Sequence, residues 1–200
     1  MSESSASSRI KRLVNTYSGL VLMGAVGIPI GVIVGAICAL FGRVLLAIGA
    51  FRDSHVALLL PFLALAGLAI VFAYRTWGKG TDRGMSLVFD VGHGREDAIS
   101  PRLVPLIMLS TWATHLFGGS AGREGVQIGA TVSHWIGRRL PFREPGNTFL
   151  LIGMAAGFAG LFRTPLAATV FAVEVLVAGR MEYRALFPAL TASLAASMTS

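Results

Sequence analysis

The 200-residue chain has one cysteine, Cys38. It can therefore form no intrachain disulfide, and because it lies inside an apolar run its expected role is packing. Charge is also scarce. Asp, Glu, Lys and Arg make up 14% of the residues, against about 25% in ordinary soluble domains. No Cys/His cluster has metal-ligand spacing and no G-x-x-x-x-G-K-[ST] loop is present to hold a nucleotide, so no metal, no cofactor and no ATP-driven chemistry are expected. The amino terminus, MSESSASSRIKR, is followed by an apolar run too long for a signal peptide and lacking an early cleavage site. The chain shows neither an internal repeat nor a low-complexity tract.

Apolar residues are what the chain has in excess: 54% are hydrophobic and the mean hydropathy is +0.70. Thirty uncharged residues separate Arg12 from Arg43, and 21 separate Asp53 from Arg75. About 20 apolar residues suffice for a helix to cross a hydrocarbon core of about 30 Å. In lipid every backbone N–H and C=O must be paired internally, which leaves helices or closed barrels. Residues 20–40 (LVLMGAVGIPIGVIVGAICAL) lack the apolar/polar alternation of a barrel strand. The fold class expected is an all-α membrane protein. Fifteen of the 17 basic residues are Arg, and most sit at the ends of apolar runs. That is the pattern of loops beside a lipid bilayer, whereas nucleic acid would demand a concentrated basic stripe and is not an expected partner. The same rule places the amino terminus in the cytoplasm.

Charge-free runs give a map: residues 13–42, 55–74, 103–122, 126–137, 146–162, 164–173 and 185–200. The first is too long to cross upright, so it must tilt or overhang. It carries Gly27, Gly31 and Gly35 at four-residue spacing, a ridge that admits another helix closely. The later runs are short and broken by Gly and Pro, the pattern of interrupted helices meeting near the midplane of a transporter or channel. Between them lie Gly-rich polar connections at residues 78–86, 91–102 and 118–125. Such backbone survives at membrane depth where it lines a cavity or is buried in protein.

The segment GGSAGREGVQIG concentrates the chemistry. Glycines flank Arg123 and Glu124, and a helix is expected to start near Gly125. A helix start presents unpaired N–H groups and the positive end of its dipole to an anion. The Glu124 carboxylate can fill that site as a tethered anion and leave it when protonated. Burial favours its neutral form; Arg123 and the amides favour the charged one. A helix-capping Glu paired with Arg123 is the structural alternative.

GREG after a Gly-rich loop resembles the G-K/R-E-G-P motif of the CLC chloride channel and proton-antiporter family. Residues 147–175 (NTFLLIGMAAGFAGLFRTPLAATVFAVEV) resemble a second CLC stretch, with Gly157, Phe162, Pro165, Leu166, Ala167, Phe171 and Glu174 in register. The resemblance implies a CLC-type fold of tilted, broken and re-entrant helices, homodimeric, with one pore per subunit. Glu124 would be the gating residue that carries the proton. A CLC subunit has about twice this much membrane sequence in two inverted halves, so residues 1–200 are expected to be one transmembrane domain, the amino-terminal half. The half that supplies further pore-lining aromatics would be missing, and the chain would be a fragment.

Two departures indicate a branch. The family's chloride filter, G-S-G-I-P, corresponds here to Gly84-Met85-Ser86-Leu87-Val88, with Met85 lying 39 residues before Glu124. Met85 in place of serine, and GREGV in place of GREGP, resemble the fluoride-exporting branch. So does Val175, where chloride antiporters often carry a second glutamate. The implied function is fluoride/proton antiport across a bacterial plasma membrane, with a halide anion and a proton as partners. The anion would be bound around Gly84, Met85, Ser86, Arg123, Gly125 and Val126, with backbone N–H donors near Ser86 and Gly125. A chloride channel or chloride/proton antiporter would share this architecture, and a non-transporting truncated membrane protein is the alternative of another class.

The remaining polar residues have plainer expectations. His115 reads as a hydrogen-bonded helix residue, and His134 and Trp135 before Arg138 and Arg139 as an interfacial helix end. Glu174 should have a structural partner. Asp82 and Arg83 should set the filter loop, and His93 should lie in a loop. Ser120 with a histidine base would faintly resemble an intramembrane protease, but nothing else supports facing Ser and His side chains, and no enzyme is expected.

Overall fold

The computed structural model describes residues 3–122, 124–141, 146–176 and 182–200, excluding the side chains of residues 3–17 and 146. The described residues form α1 (Glu3–Leu59), a short 3-10 turn (Leu60–Phe62), α2 (Leu63–Trp77), α3 (Met85–Gly92), α4 (Leu103–Leu116), α5 (Glu124–Gly137), α6 (Gly146–Phe162), α7 (Pro165–Val175) and α8 (Tyr183–Thr199). Among them there is no strand.

The charge map misplaced one boundary. Arg43, Arg52 and Asp53 do not end the first helix, which continues to Leu59 with a kink at His55 (φ −132°, ψ 21°). Arg52 and Asp53 satisfy one another at 2.7 Å on its exposed surface. The helix gives way to the 3-10 turn where Pro61, at the turn's start, has no N–H for the ladder. A second difference lies in the loop expected over residues 78–86. Its last two residues, Met85 and Ser86, are already the first turn of α3.

Helix α6 is the centre of the fold. It is apolar on every side, as a helix surrounded by others must be. Leu150, Leu151, Ile152, Met154, Ala155, Ala156 and Ala159 have no solvent exposure. Around it pack α1, α5, α7 and α8. The Gly ridge of α1 meets α8 as expected: a Cβ on Gly27 would lie 2.7 Å from both the Pro188 carbonyl and Thr191 Oγ1, and one on Gly35 2.6 Å from the Ala196 carbonyl. Cys38 packs in the seam between α1 and α6, its Sγ 3.7 Å from the Gly157 carbonyl oxygen. Between α7 and α8, Thr169 Oγ1 and Ser193 Oγ are 2.9 Å apart, and both hydroxyls donate to the Pro165 carbonyl.

The outside of the fold is greasy. Leu46, Leu68, Phe72, Leu166 and Met198 are each more than 65% exposed. Residues 18–77 form a helical stretch long and apolar enough to cross a membrane, and its most apolar part lies almost wholly on the surface. Aqueous solvent would penalise such a face by about 25 cal/mol per Å2.

Candidate functional site

Two helix starts converge. Gly84 caps α3 with φ +57° and ψ −134°, a conformation that only glycine adopts without strain. A Cβ there would lie 3.4 Å from Gln127 Nε2 in the first turn of α5. The turn before α3 thus rests against the beginning of α5. Met85, the first residue of α3, lines a cavity of about 450 Å3 together with Phe89, Val126, Phe158, Phe162, Phe171 and Val175. The folding of α3 and α5 therefore brings Met85 and Val126 together, and α6 and α7 add phenylalanines. The Phe158 ring centroid is 4.8 Å from that of Phe162 and 5.2 Å from that of Phe171.

Helix α5 starts at Glu124, one residue before the expected place. Gly125 and Val126 are buried. A Cβ on Gly125 would meet the Gly157 carbonyl at 2.8 Å, which is why only glycine lets α5 lie this close to α6. The first N–H groups of α5 have no acceptor within the helix, and they form its positive end. Glu124 sits at that end, half-buried, and its carboxylate has no hydrogen-bond or ion-pair partner among the described residues. Arg123 lies outside the described residues.

Ser86 is differently placed from Met85. Its N–H donates to the Arg83 carbonyl at 3.2 Å, as does that of Leu87 to the Gly84 carbonyl. The Ser86 side chain is exposed. Arg83 is held on both sides of α3: it bonds the Asp90 carboxylate and, at 2.8 Å, Glu96 Oε1, while Arg95 reaches Asp90 Oδ1 at 3.4 Å. Asp90 is only 13% exposed. Sequence reasoning expected Arg83 to set the loop but missed Asp90. The available signal was its place one residue short of two turns into a helix that starts just after Arg83.

The other polar residues are placed as follows. His115 Nδ1 lies 2.9 Å from the Thr111 carbonyl within α4, and His93 follows the end of α3 with Nδ1 2.7 Å from the Phe89 carbonyl. His134 is buried one turn from the end of α5, and its Nε2 has no partner among the described residues. Glu174 is exposed and makes no ion pair with a described residue; residues 177–181, which follow it, lie outside the described residues. It lies next to last in α7, facing outward. Among the described residues, no group of three His, Cys, Asp or Glu side chains could hold a metal ion.

Residues 66–200 match the family model for voltage gated chloride channels. The chain is 38% identical over 172 residues to a chloride/fluoride channel protein of Pseudomonas syringae pv. tomato, covering 84% of this chain and 37% of that protein. It is 33% identical over 85 residues to the voltage-gated ClC-type chloride channel ClcB of Salmonella typhimurium, covering 42% of this chain and 20% of that one. Among solved structures, a CLC-type fluoride/proton antiporter superposes with a TM-score of 0.87 at 47% identity, over 92% of this chain and 47% of the antiporter. The chain thus spans less than half the length of each of these relatives. At that identity and TM-score the fold is of the CLC type, and its interrupted helices and greasy exterior are those of an integral membrane protein. With more than half its length matched by the family model, the chain belongs to the voltage-gated chloride channel (CLC) family.

Proposed function

We propose that this chain supplies the first of two inverted repeats of a fluoride/proton antiporter, folded as one transmembrane unit over residues 1–200. Glu124 carries the proton. Deprotonated, it occupies the positive end of α5; protonated, it withdraws and an anion takes its place. Proton and anion compete for one location, so each one's affinity depends on the other by linkage. The anion is held around Gly84, Met85, Ser86, Arg123, Gly125 and Val126, with Gly125 and Val126 supplying first-turn N–H groups. The Ser86 amide serves only after giving up its bond to the Arg83 carbonyl.

The observation that carries the fluoride reading is the cavity shared by Met85 and Val126. It presents a thioether and phenylalanines where a serine hydroxyl would favour chloride. Phenyl rings carry positive charge at their edges, and fluoride, small and strongly hydrated, needs close donors to replace its water. In this reading the whole transporter works as a homodimer in a bacterial plasma membrane, with the amino terminus cytoplasmic, and it moves ions without catalysing a reaction. A chloride channel or chloride/proton antiporter is the second reading, favoured by the chloride channel named for the Salmonella relative.

The test is a chimera in which this chain replaces the matching part of the solved antiporter, reconstituted in liposomes. A fluoride gradient should drive proton movement, and Glu124→Gln should abolish it while anion flux continues. Stoichiometric proton movement through Glu124→Gln would remove Glu124 from the mechanism. Equal proton movement with chloride in place of fluoride would establish the second reading.

A further inference from the structure

A second polar cavity, of about 660 Å3, lies at the far end of α5 from Glu124. Its walls are Trp135, Arg138 and Arg139 on one side and residues 98–101, the approach to α4, on the other. The Arg139 guanidinium lies 3.7 Å from the centroid of the Trp135 ring and donates to the Trp135 carbonyl at 3.0 Å. Stacking and hydrogen bond together hold its planar fork in one orientation. Arg138 and Arg139 make no ion pair with any described acid, and Asp97, next to the cavity wall, is exposed and makes no ion pair with a described residue. Two adjacent cations thus line the same cavity with no described acid bonded to either, and an anion between them is the arrangement Coulomb's law favours.

The donors are side chains. The first amides of α4 are spent: Leu103 N–H donates to the Ser100 carbonyl at 3.0 Å and Val104 N–H to the Pro101 carbonyl at 3.2 Å. The Ser100 hydroxyl, at the cavity wall, has no partner among the described residues. Guanidinium forks and a hydroxyl are complementary to a tetrahedral oxyanion. Trp135 is 39% exposed at the end of an intramembrane helix, the depth at which tryptophan meets lipid headgroups. The geometry points to a phosphate-binding site formed by Arg138, Arg139 and Ser100, filled from the bilayer by the headgroup phosphate of an anionic phospholipid. This site is independent of the transport reading, because it shares no residue with the cavity at Met85.

The chain, reconstituted in nanodiscs of equal phosphatidylglycerol and phosphatidylcholine and released into native mass spectrometry, should keep bound phosphatidylglycerol. Arg138→Gln with Arg139→Gln should lower that retention roughly twenty-five-fold, since each arginine near an anionic headgroup contributes about a fivefold preference. Arg75→Gln with Lys79→Gln, an equal loss of charge elsewhere, should leave it unchanged. Arg138→Lys with Arg139→Lys keeps charge and fold but loses the fork, and should retain an intermediate amount. Millimolar inorganic phosphate that fails to release the lipid identifies the headgroup as the occupant; phosphate that displaces it, and binds the lipid-free chain, identifies free phosphate at the same site. Equal retention by wild type and the double Gln variant, full retention by the double Lys variant, or equal loss in the Arg75/Lys79 control would overturn the site.

Discussion

Gly129 of α5 and Gly153 of α6 meet backbone to backbone: a methyl group on either would collide with the carbonyl of the other. Gly125 and Gly157 repeat the contact one turn nearer Glu124. In a membrane, where lipid tails are as apolar as leucine, close backbone approach is a main source of helix–helix adhesion. The seam therefore both stabilises the fold and sets the height at which Glu124 stands. Gly129→Ala should lower stability by about 1–3 kcal/mol, the usual cost of overpacking. Thermal unfolding in detergent would read this as a lowered midpoint. An unchanged midpoint would mean that the helices part without cost.

The α1 glycines separate into two groups. A Cβ on Gly31 would strike the Ala192 carbonyl, whereas those on Gly42 and Gly49 would meet nothing within 4 Å. Gly31→Leu must push α8 away, and should cost more than the roughly 1–3 kcal/mol of ordinary overpacking. Gly49→Ala adds no clash and removes backbone entropy, so it should stabilise by about 0.5–1 kcal/mol. The two changes sit on one helix and should shift the unfolding midpoint in opposite directions.

This ridge was legible in the sequence because spacing alone determines which glycines share a helix face. The start of α5 was legible for a similar reason, since Gly125 and Glu124 stand where charge and flexibility change together. The length of α1 was not. Arg43, Arg52 and Asp53 looked like a loop, but arginine can lie along an apolar helix with its head in a polar layer, and Arg52 has Asp53 beside it. Charge marks depth there and not a helix end. The cavity at Met85 was half legible: motif resemblance paired Met85 with Glu124 and put Phe162 and Phe171 in register with a second motif, but it did not bring these rings, or Phe158, to Met85. Their convergence on one cavity depends on α6 and α7 turning back on one another, which no local pattern encodes. That turn passes through Arg163, at φ +55°, a conformation more typical of glycine.

Met85 is the residue through which selectivity can be changed with least harm to the fold, because it is half-buried at a cavity wall and not in the fully buried core. In the proposed mechanism, Met85→Ser puts a hydroxyl donor beside the anion. In the chimera, fluoride over chloride preference should fall by about two- to tenfold, the equivalent of roughly one hydrogen bond of 0.5–1.5 kcal/mol. Flux measured with each anion alone gives the ratio. A fluoride preference unmoved by Met85→Ser would show that selectivity is set elsewhere.

The position of Met85 in turn depends on Asp90. The Asp90 carboxylate takes bonds from Arg83, immediately before the Gly84 turn, and from Arg95 beyond the end of α3. Asp90 is largely shielded, but Arg83 and Arg95 are 44% and 73% exposed, so solvent screens much of the attraction. Asp90→Ala removes the shared acceptor and leaves two guanidiniums facing each other; about 1–2 kcal/mol should be lost, more than for an exposed pair. Glu96→Gln touches only the exposed arm and should cost under about 1 kcal/mol. A double-mutant cycle on Arg83 and Asp90 isolates the pair, and its coupling should shrink as salt is raised. If α3 is truly held by this clamp, Asp90→Ala should also blur the anion preference in the same direction as Met85→Ser, although Asp90 does not line the cavity. Loss of stability with an intact preference would instead confine Asp90 to holding the fold.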